Sequence, residues 1–324
     1  LELPVQALGE ALQQRGSADS LQIRLGIPAE AQEEELHRLL PDQAEPFGSL
    51  LEVSFFWEQG DTLSALSAFK GAEVKFTTVP LAGAVSADTV TVLLLQPSAG
   101  NYTFVPALIR EEGGKAQITF RLKASGIYAA VVHRKTFTDL NGHWAANEVT
   151  MLASKTIIQG TSDKEFSPNA PVTRAEFTAM LVRALGLTGP QANPNRSFTD
   201  VNSGAWYASA VATAVENGLI EGFADGEFRP NEQITRQQMS VLLVRGLKLA
   251  GAETPAGNPS AILAGFEDRS QIGAWAEEAA AIAVESGLMK GRGNGSFAPE
   301  ASSTRAEAAT VLARMLRMAG LINS

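Results

Sequence analysis

Three arginines recur at one kind of position in this 324-residue chain. They are Arg174 in Thr173-Arg174-Ala175-Glu176, Arg236 in Thr235-Arg236-Gln237-Gln238 and Arg305 in Thr304-Arg305-Ala306-Glu307. Threonine followed three residues later by Glu or Gln is the capping box of a helix start, so each arginine is expected at the first helical position. A cation there opposes the positive end of the helix dipole at a cost of about 0.3–1 kcal/mol, so helix stability alone does not select it. At ~100° per residue, Arg174 falls about 60° from Phe177, towards the packed side of its helix. A guanidinium beside first-turn N–H groups that lack intrahelical partners is a ready anion site. Arg183, Arg245 and Arg314, nine residues further on, project from the opposite side near the favourable C-terminal end. They read as surface residues and dipole partners.

The elements that must position the arginines follow from periodicity. Phe177, Met180, Leu181, Ala184 and Leu185 recur at the spacing of an apolar helical stripe, and Met239, Leu242, Leu243 and Leu247 repeat it. Offsets of 62 residues (Arg174 to Arg236) and 69 (Arg236 to Arg305) mark three homologous units. Trp144, Trp206 and Trp275 each precede Gly160, Gly222 and Gly291 by 16 residues, and each glycine precedes its arginine by 14. Phe166-x-Pro168, Phe228-x-Pro230 and Phe297-x-Pro299 lie between glycine and arginine, and Phe137-x-Asp139, Phe198-x-Asp200 and Phe266-x-Asp268 open the units. Length varies only outside this frame, in Gly/Pro-rich linkers at 186–196 and 251–265. Each unit reads as helix, turn, helix. The first helix ends near Asn217-Gly218 or Ser286-Gly287, and the second is the capped one. One such pair cannot bury its own apolar face, so three must pack into one body.

The copies differ. Copy two has Gln237-Gln238 for Ala-Glu, which removes a carboxylate that could orient Arg236. Copy three has Ser303 where the others have Val172 and Ile234, and Ala308 opposite Phe177 and Met239, so its hydrophobic staple is missing. Copy one has Lys164 where a turn glycine is usual. Unequal affinities at the three sites are expected.

Residues 1–135 have another character. Segments 21–27, 50–57, 72–79, 89–95, 102–109, 116–122 and 126–132 read as short strands separated by turn residues, with clean alternation at Val74, Phe76 and at Ile118, Phe120. An antiparallel β-sandwich is the expectation, with 29–40 as a helical or irregular insertion. Glu111-Glu112 reads as part of a Gly-rich turn and Glu33-Glu34-Glu35 as a solvated helix face, so this half carries no candidate chemistry. The chain opens at Leu1 within sequence that reads as structured, as in a fragment or a mature region freed of its targeting segment.

Composition narrows the class. Apolar residues make up 45%, and no transmembrane-length apolar run occurs. The formal charge of −9 argues against bulk attraction to nucleic acid or an anionic membrane, so any anion must be recognised by local arginines. Without cysteine there are neither disulfides nor thiolate metal sites. His37, His133 and His143 lack metal-ligand spacing. No nucleophile triad, phosphate loop or acid pair recurs, and Asp225-Gly226-Glu227 reads as a turn rather than a calcium loop. No enzyme and no cofactor are expected.

The frame F-x-D, W, G-x5-F-x-P, T-R-A-E resembles the S-layer homology domain, present three times over about residues 136–322. The units then fall at 136–189, 197–251 and 265–322, after a β-rich domain at 1–135. The resemblance implies an all-α, pseudo-threefold bundle with grooves between neighbouring repeats. It implies that those grooves bind secondary cell-wall polysaccharide through a pyruvate ketal on N-acetylmannosamine, holding secreted surface proteins on the bacterial envelope. Arg174, Arg236 and Arg305 would face the ketal carboxylate. Gly160, Gly222 and Gly291 would let a backbone approach the sugar closely. Trp144, Trp206 and Trp275 would offer ring faces or else pack internally, and Asp139, Asp200 and Asp268 would accept from sugar hydroxyls or else cap helices. Two rival settings are an S-layer lattice subunit, whose β-domain contacts other subunits, and an exoenzyme anchor whose catalytic domain lies outside this chain.

Overall fold

The computed structural model describes residues 20–66, 68–77, 86–112, 115–189, 198–255 and 257–324. By internal contacts the chain divides into two units. The first comprises residues 1–135 with Ser154–Thr156 and Leu321–Ser324, and the second comprises Thr136–Ala153 and Ile157–Gly320.

The described residues of the first unit form two antiparallel sheets. Strands β1 (Ser20–Gly26), β3 (Leu51–Gln59), β10 (Gly126–Val132), β6 (Val90–Gln96) and β7 (Asn101–Val105) lie side by side in that order, with β2 (Glu45–Pro46) on β10 and β4 (Thr62–Leu66) on β3. The second sheet runs β5 (Ala68–Thr77), β9 (Lys115–Ala124), β8 (Ala107–Glu112). Val53 and Phe55 of β3, Val92 and Leu94 of β6 and Ile118, Phe120 and Leu122 of β9 share one core. The alternate residues Leu93 and Leu95, with Ala129 and Val131 of β10, are covered by Leu36, Leu39 and Leu40 at and beyond the end of helix α1 (Glu30–His37). Strand β6 is therefore buried on both faces, which is why its sequence runs apolar instead of alternating.

Two expectations are corrected here. Segment 102–109 is two strands in different sheets, parted at Pro106, whose missing N–H ends the ladder. Glu111-Glu112 ends strand β8 rather than sitting in a turn. Strands β2 and β4 were not signalled, and residues 78–79 of the expected strand 72–79 lie outside the described residues. Buried Lys155 donates from Nζ to the carbonyls of Ala87 and Val90, and Asn323 bonds both backbone groups of Ile109.

The second unit is helical. First helices α2 (Ala146–Ser154), α4 (Ala208–Glu216) and α6 (Glu277–Glu285) alternate with second helices α3 (Arg174–Ala184), α5 (Arg236–Leu249) and α7 (Arg305–Met318). The capping boxes are formed in all three second helices, and α3, α5 and α7 pack on one another. Gly246 of α5 marks that meeting: a Cβ there would stand 3.1 Å from Leu181 of α3 and 3.1 Å from Met315 of α7. The matched residues are Ala184, Gly246 and Met315. One long side chain thus fills space that two small ones leave. Each later first helix packs on the second helix of the preceding repeat, α4 on α3 and α6 on α5. An ion pair at 2.9 Å between Arg317 of α7 and Glu148 of α2 closes the circle.

Just before the second helices the three repeats meet in a ring of backbone hydrogen bonds. Val172 N–H donates to Ser303 O, Ser303 N–H to Ile234 O, and Ile234 N–H to Val172 O, at 2.9, 3.2 and 3.0 Å. Val172, Ile234 and Ser303 are all buried, and among the described residues the Ser303 hydroxyl has no hydrogen-bond partner. A buried, unsatisfied hydroxyl costs about 1–3 kcal/mol. Ser303→Val, matching the apolar corners of the other repeats, is expected to stabilise the helical unit by about 1 kcal/mol in urea unfolding. A loss of stability would contradict this account of the ring.

Candidate functional site

Each recurring arginine lies where one repeat meets the next. Arg174, Arg236 and Arg305 are only 8%, 6% and 4% exposed. Their Nε atoms donate to Phe228 O, Phe297 O and Phe166 O at 2.8–2.9 Å, always across to the neighbouring repeat and in cyclic order. The guanidinium of each stacks on the ring whose carbonyl it holds, at 5.0, 5.2 and 4.6 Å. Burial lowers all three pKa values. The main opposing charge is Glu232 for Arg174, Glu307 for Arg236 and Glu176 for Arg305. Arginine stays charged regardless, so each junction encloses a cation.

The first-turn N–H groups are not free, which corrects the expectation that they stand open to an anion beside the arginine. Arg174 and Ala175 donate from their backbones to Glu232 O and Pro230 O, Arg236 and Gln237 to Ala301 O and Pro299 O, and Arg305 and Ala306 to Ala170 O and Pro168 O. The third N–H of each helix is taken by the capping threonine. Only side-chain nitrogen remains for a ligand.

The aspartates also have another task than capping. Asp139 accepts from the N–H groups of Phe166 and Ser167, Asp200 from those of Phe228 and Arg229, and Asp268 from those of Phe297 and Ala298, at 2.6–3.1 Å. The second residue of each pair is left-handed, with φ of 58°, 58° and 56°. Such a conformation costs a non-glycine residue about 1–2 kcal/mol, and the charge-assisted bonds offset it. Both oxygens of each aspartate are thereby engaged.

The frame glycines are fixed by packing. A Cβ on Gly160, Gly222 or Gly291 would collide with the ring of Phe137, Phe198 or Phe266. Those rings in turn pair with Phe166, Phe228 and Phe297, at centroid distances of 5.6, 5.5 and 5.8 Å. The close approach is thus to a phenylalanine of the same repeat.

The tryptophans are the reverse case. Trp144, Trp206 and Trp275 are 64%, 66% and 61% exposed, so internal packing does not account for them. Gln237 Oε1 accepts from the N–H of Gly273, two residues before Trp275, which places that indole beside the junction of repeats two and three. Arg183, Arg245 and Arg314 are half-buried and donate to the carbonyls of Ile157, Leu219 and Leu288 in their own repeats, so they are structural braces rather than surface residues.

Sequence reasoning missed the residues that make the junctions unlike. The position after each frame glycine holds Thr161, Phe223 or Arg292, and the left-handed position holds Ser167, Arg229 or Ala298. Aligning the copies residue by residue around the glycine would have exposed them. Arg174 lies over Phe223 at 4.7 Å and Arg229 over the same ring at 4.1 Å, with Arg229 paired to Asp225. Among the described residues, no group of His, Asp and Glu is arranged to hold a metal ion.

The model of the S-layer homology domain matches residues 136–178, 197–240 and 265–309. Residues 136–309 thus carry three S-layer homology domains. It is 36% identical over 234 residues to an amylopullulanase of Thermoanaerobacterium thermosulfurigenes, covering 72% of this chain and 12% of that protein. It is 35% identical over 210 residues to the exoglucanase XynX of Acetivibrio thermocellus, covering 64% and 18%. To the surface-layer 125 kDa protein of Lysinibacillus sphaericus it is 34% identical over 206 residues, covering 62% and 16%. The chain thus spans between about a tenth and a fifth of the length of these relatives. Residues 136–324 are 189 in number (324 − 135), so each similarity also reaches into the β-rich unit. S-layer homology domains anchor proteins to the cell wall, which assigns this chain to the cell surface. No helix among the described residues is long and apolar enough to cross a membrane.

Because the arginines join repeats, their removal acts on stability before it acts on any ligand. Arg305→Ala breaks a partly buried ion pair and two carbonyl bonds from a charged donor and is expected to cost about 3 kcal/mol or more. Arg174→Ala breaks one carbonyl bond and is expected to cost about 1 kcal/mol. Urea unfolding followed by far-UV circular dichroism measures both. Equal losses would contradict the unequal roles.

Proposed function

We propose that the junctions between the three repeats bind an anionic secondary cell-wall polysaccharide carrying a pyruvate ketal on N-acetylmannosamine, and so hold the polypeptide on the bacterial envelope without a covalent bond. The observation that carries this reading is the threefold exposure of tryptophan, at 61–66%, at one matched position. Exposing three of the largest apolar side chains has no basis in the fold, whereas an indole face with a polar edge suits the C–H face of a sugar. The junction arginines supply the second half of the recognition. A planar guanidinium pairs with a carboxylate in a way that neutral sugar recognition would not require. The similarity reaches the β-rich unit in two glycosidases as well as in the surface-layer protein. That supports anchoring, rather than lattice assembly with other subunits, as the shared task.

The test is calorimetric titration of the whole chain with purified wall polysaccharide, its ketal intact or removed by mild acid. Removal of the ketal is expected to abolish binding. The triple variant Trp144→Ala, Trp206→Ala, Trp275→Ala is expected to weaken binding at least about tenfold while changing stability by under ~0.5 kcal/mol, because these indoles are exposed. Unchanged affinity in the triple variant would overturn the indole contribution, and equal binding without the ketal would overturn the anionic one.

A further inference from the structure

The three junctions share a frame, but one side chain differs between them in a way that decides what the arginine can accept. At the junction of repeats three and one, the capping-box residue facing Arg305 is Glu176. Its carboxylate is divided: Oε2 accepts from Thr173 N–H at 2.8 Å, and Oε1 accepts from Arg305 Nη1 at 3.0 Å. Arg305 Nη2 donates to Gln159 O at 2.7 Å. With Nε on Phe166 O, every nitrogen of that guanidinium has a protein acceptor and its charge is matched by the half-buried carboxylate of Glu176.

At the junction of repeats one and two the matched capping residue is Gln238. Its Oε1 must face the Thr235 N–H, and does so at 3.2 Å. The remaining amide atom is then Nε2, a donor, which cannot accept from an arginine. The ring of Phe223, where repeat one has Thr161, draws Arg174 into a stack. Among the described residues, Arg174 Nε has its carbonyl, but Nη1 and Nη2 have no hydrogen-bond partner in a side chain more than nine-tenths buried. The junction of repeats two and three is intermediate. Arg236 holds Phe297 O and Lys290 O, and the capping Glu307 faces Arg292 at 2.9 Å instead.

We propose that the capping-box residue of the following repeat selects which junction takes an anionic ligand. Gln238 leaves the Arg174 junction open to a carboxylate as the primary site, and Glu176 closes the Arg305 junction by occupying its arginine. The glutamate acts as a built-in substitute for the ligand carboxylate. This rests on the glycan reading above, and adds to it which junction is used and which residue sets the choice. The capping box tolerates both residue types, since Thr235 with Gln238 forms the same reciprocal pair as Thr173 with Glu176. The exchange therefore leaves the helix starts intact.

The test exchanges the two residues in the whole chain and titrates it with a synthetic methyl glycoside of N-acetylmannosamine bearing a pyruvate ketal. Gln238→Glu is expected to weaken the tightest site at least about tenfold, and Arg174→Ala to do the same. Glu176→Gln is expected to raise the stoichiometry by one site. Wild-type binding that neither Gln238→Glu nor Glu176→Gln alters would overturn the selection by the capping residue and leave the glycan reading standing. A wild-type chain that does not bind the ketal sugar would overturn the glycan reading, and this inference with it.

Discussion

The helical unit depends on one constraint: no second helix can satisfy the N–H groups of its own first turn. The first two are met by carbonyls of the neighbouring repeat, among them those of Pro168, Pro230 and Pro299. Leaving such groups buried and unpaired would cost several kcal/mol per helix, so each repeat needs its neighbour to finish its helix start. Those carbonyls are aimed by the left-handed residue before each proline, which is held by the aspartate of the F-x-D triplet. The arginine then closes over the same loop by taking the carbonyl of the phenylalanine just upstream. The recurring residues are thus successive parts of one capping device that crosses the repeat boundary. Three copies in a ring satisfy it for all, through the closed triangle of Val172, Ile234 and Ser303.

That constraint explains what the sequence could and could not say. The capping boxes, the apolar stripes, the helix ends at Gly218 and Gly287 and the threefold period were legible because each follows from local geometry or from spacing alone. The antiparallel sheets were legible from alternation, or at β6 from an apolar run bounded by turns, except where Pro106 passes the chain between sheets. The reasons for the recurring Asp and Gly were not legible. Recurrence shows that a position is constrained without saying by what, and both turned out to serve backbone and ring packing within the repeat. Tryptophan is the opposite lesson, since its type argued equally for burial and exposure and only the fold decided.

An arginine that builds the junction is poorly placed to be a simple ligand-binding residue, because its removal disturbs both functions at once. The frame residues common to all copies therefore say little about affinity. Capacity for a ligand is set by what the frame leaves over, and the copies differ there. Phe223, Arg292 and Thr161 stand at one matched position, and Gln238, Glu307 and Glu176 at another.

Repetition lets structure and recognition separate in this way. A single junction must keep its arginine neutralised to be stable or leave it open to bind, since the same Nη atoms cannot serve an internal carboxylate and a ligand carboxylate together. In a ring of three, one junction can be closed to hold the assembly while another stays open. Arg305 is locked by Glu176, and Arg174 retains two nitrogens that no described residue engages. The open junction is the less tied one, with a single carbonyl bond from its arginine. It can afford this because its cation rests against two phenylalanine rings and the backbone capping around it is complete. Equalising the three junctions with glutamate at every capping position would tighten the ring at the expense of the free guanidinium, while glutamine at every position would take from Arg305 the carboxylate that now holds it.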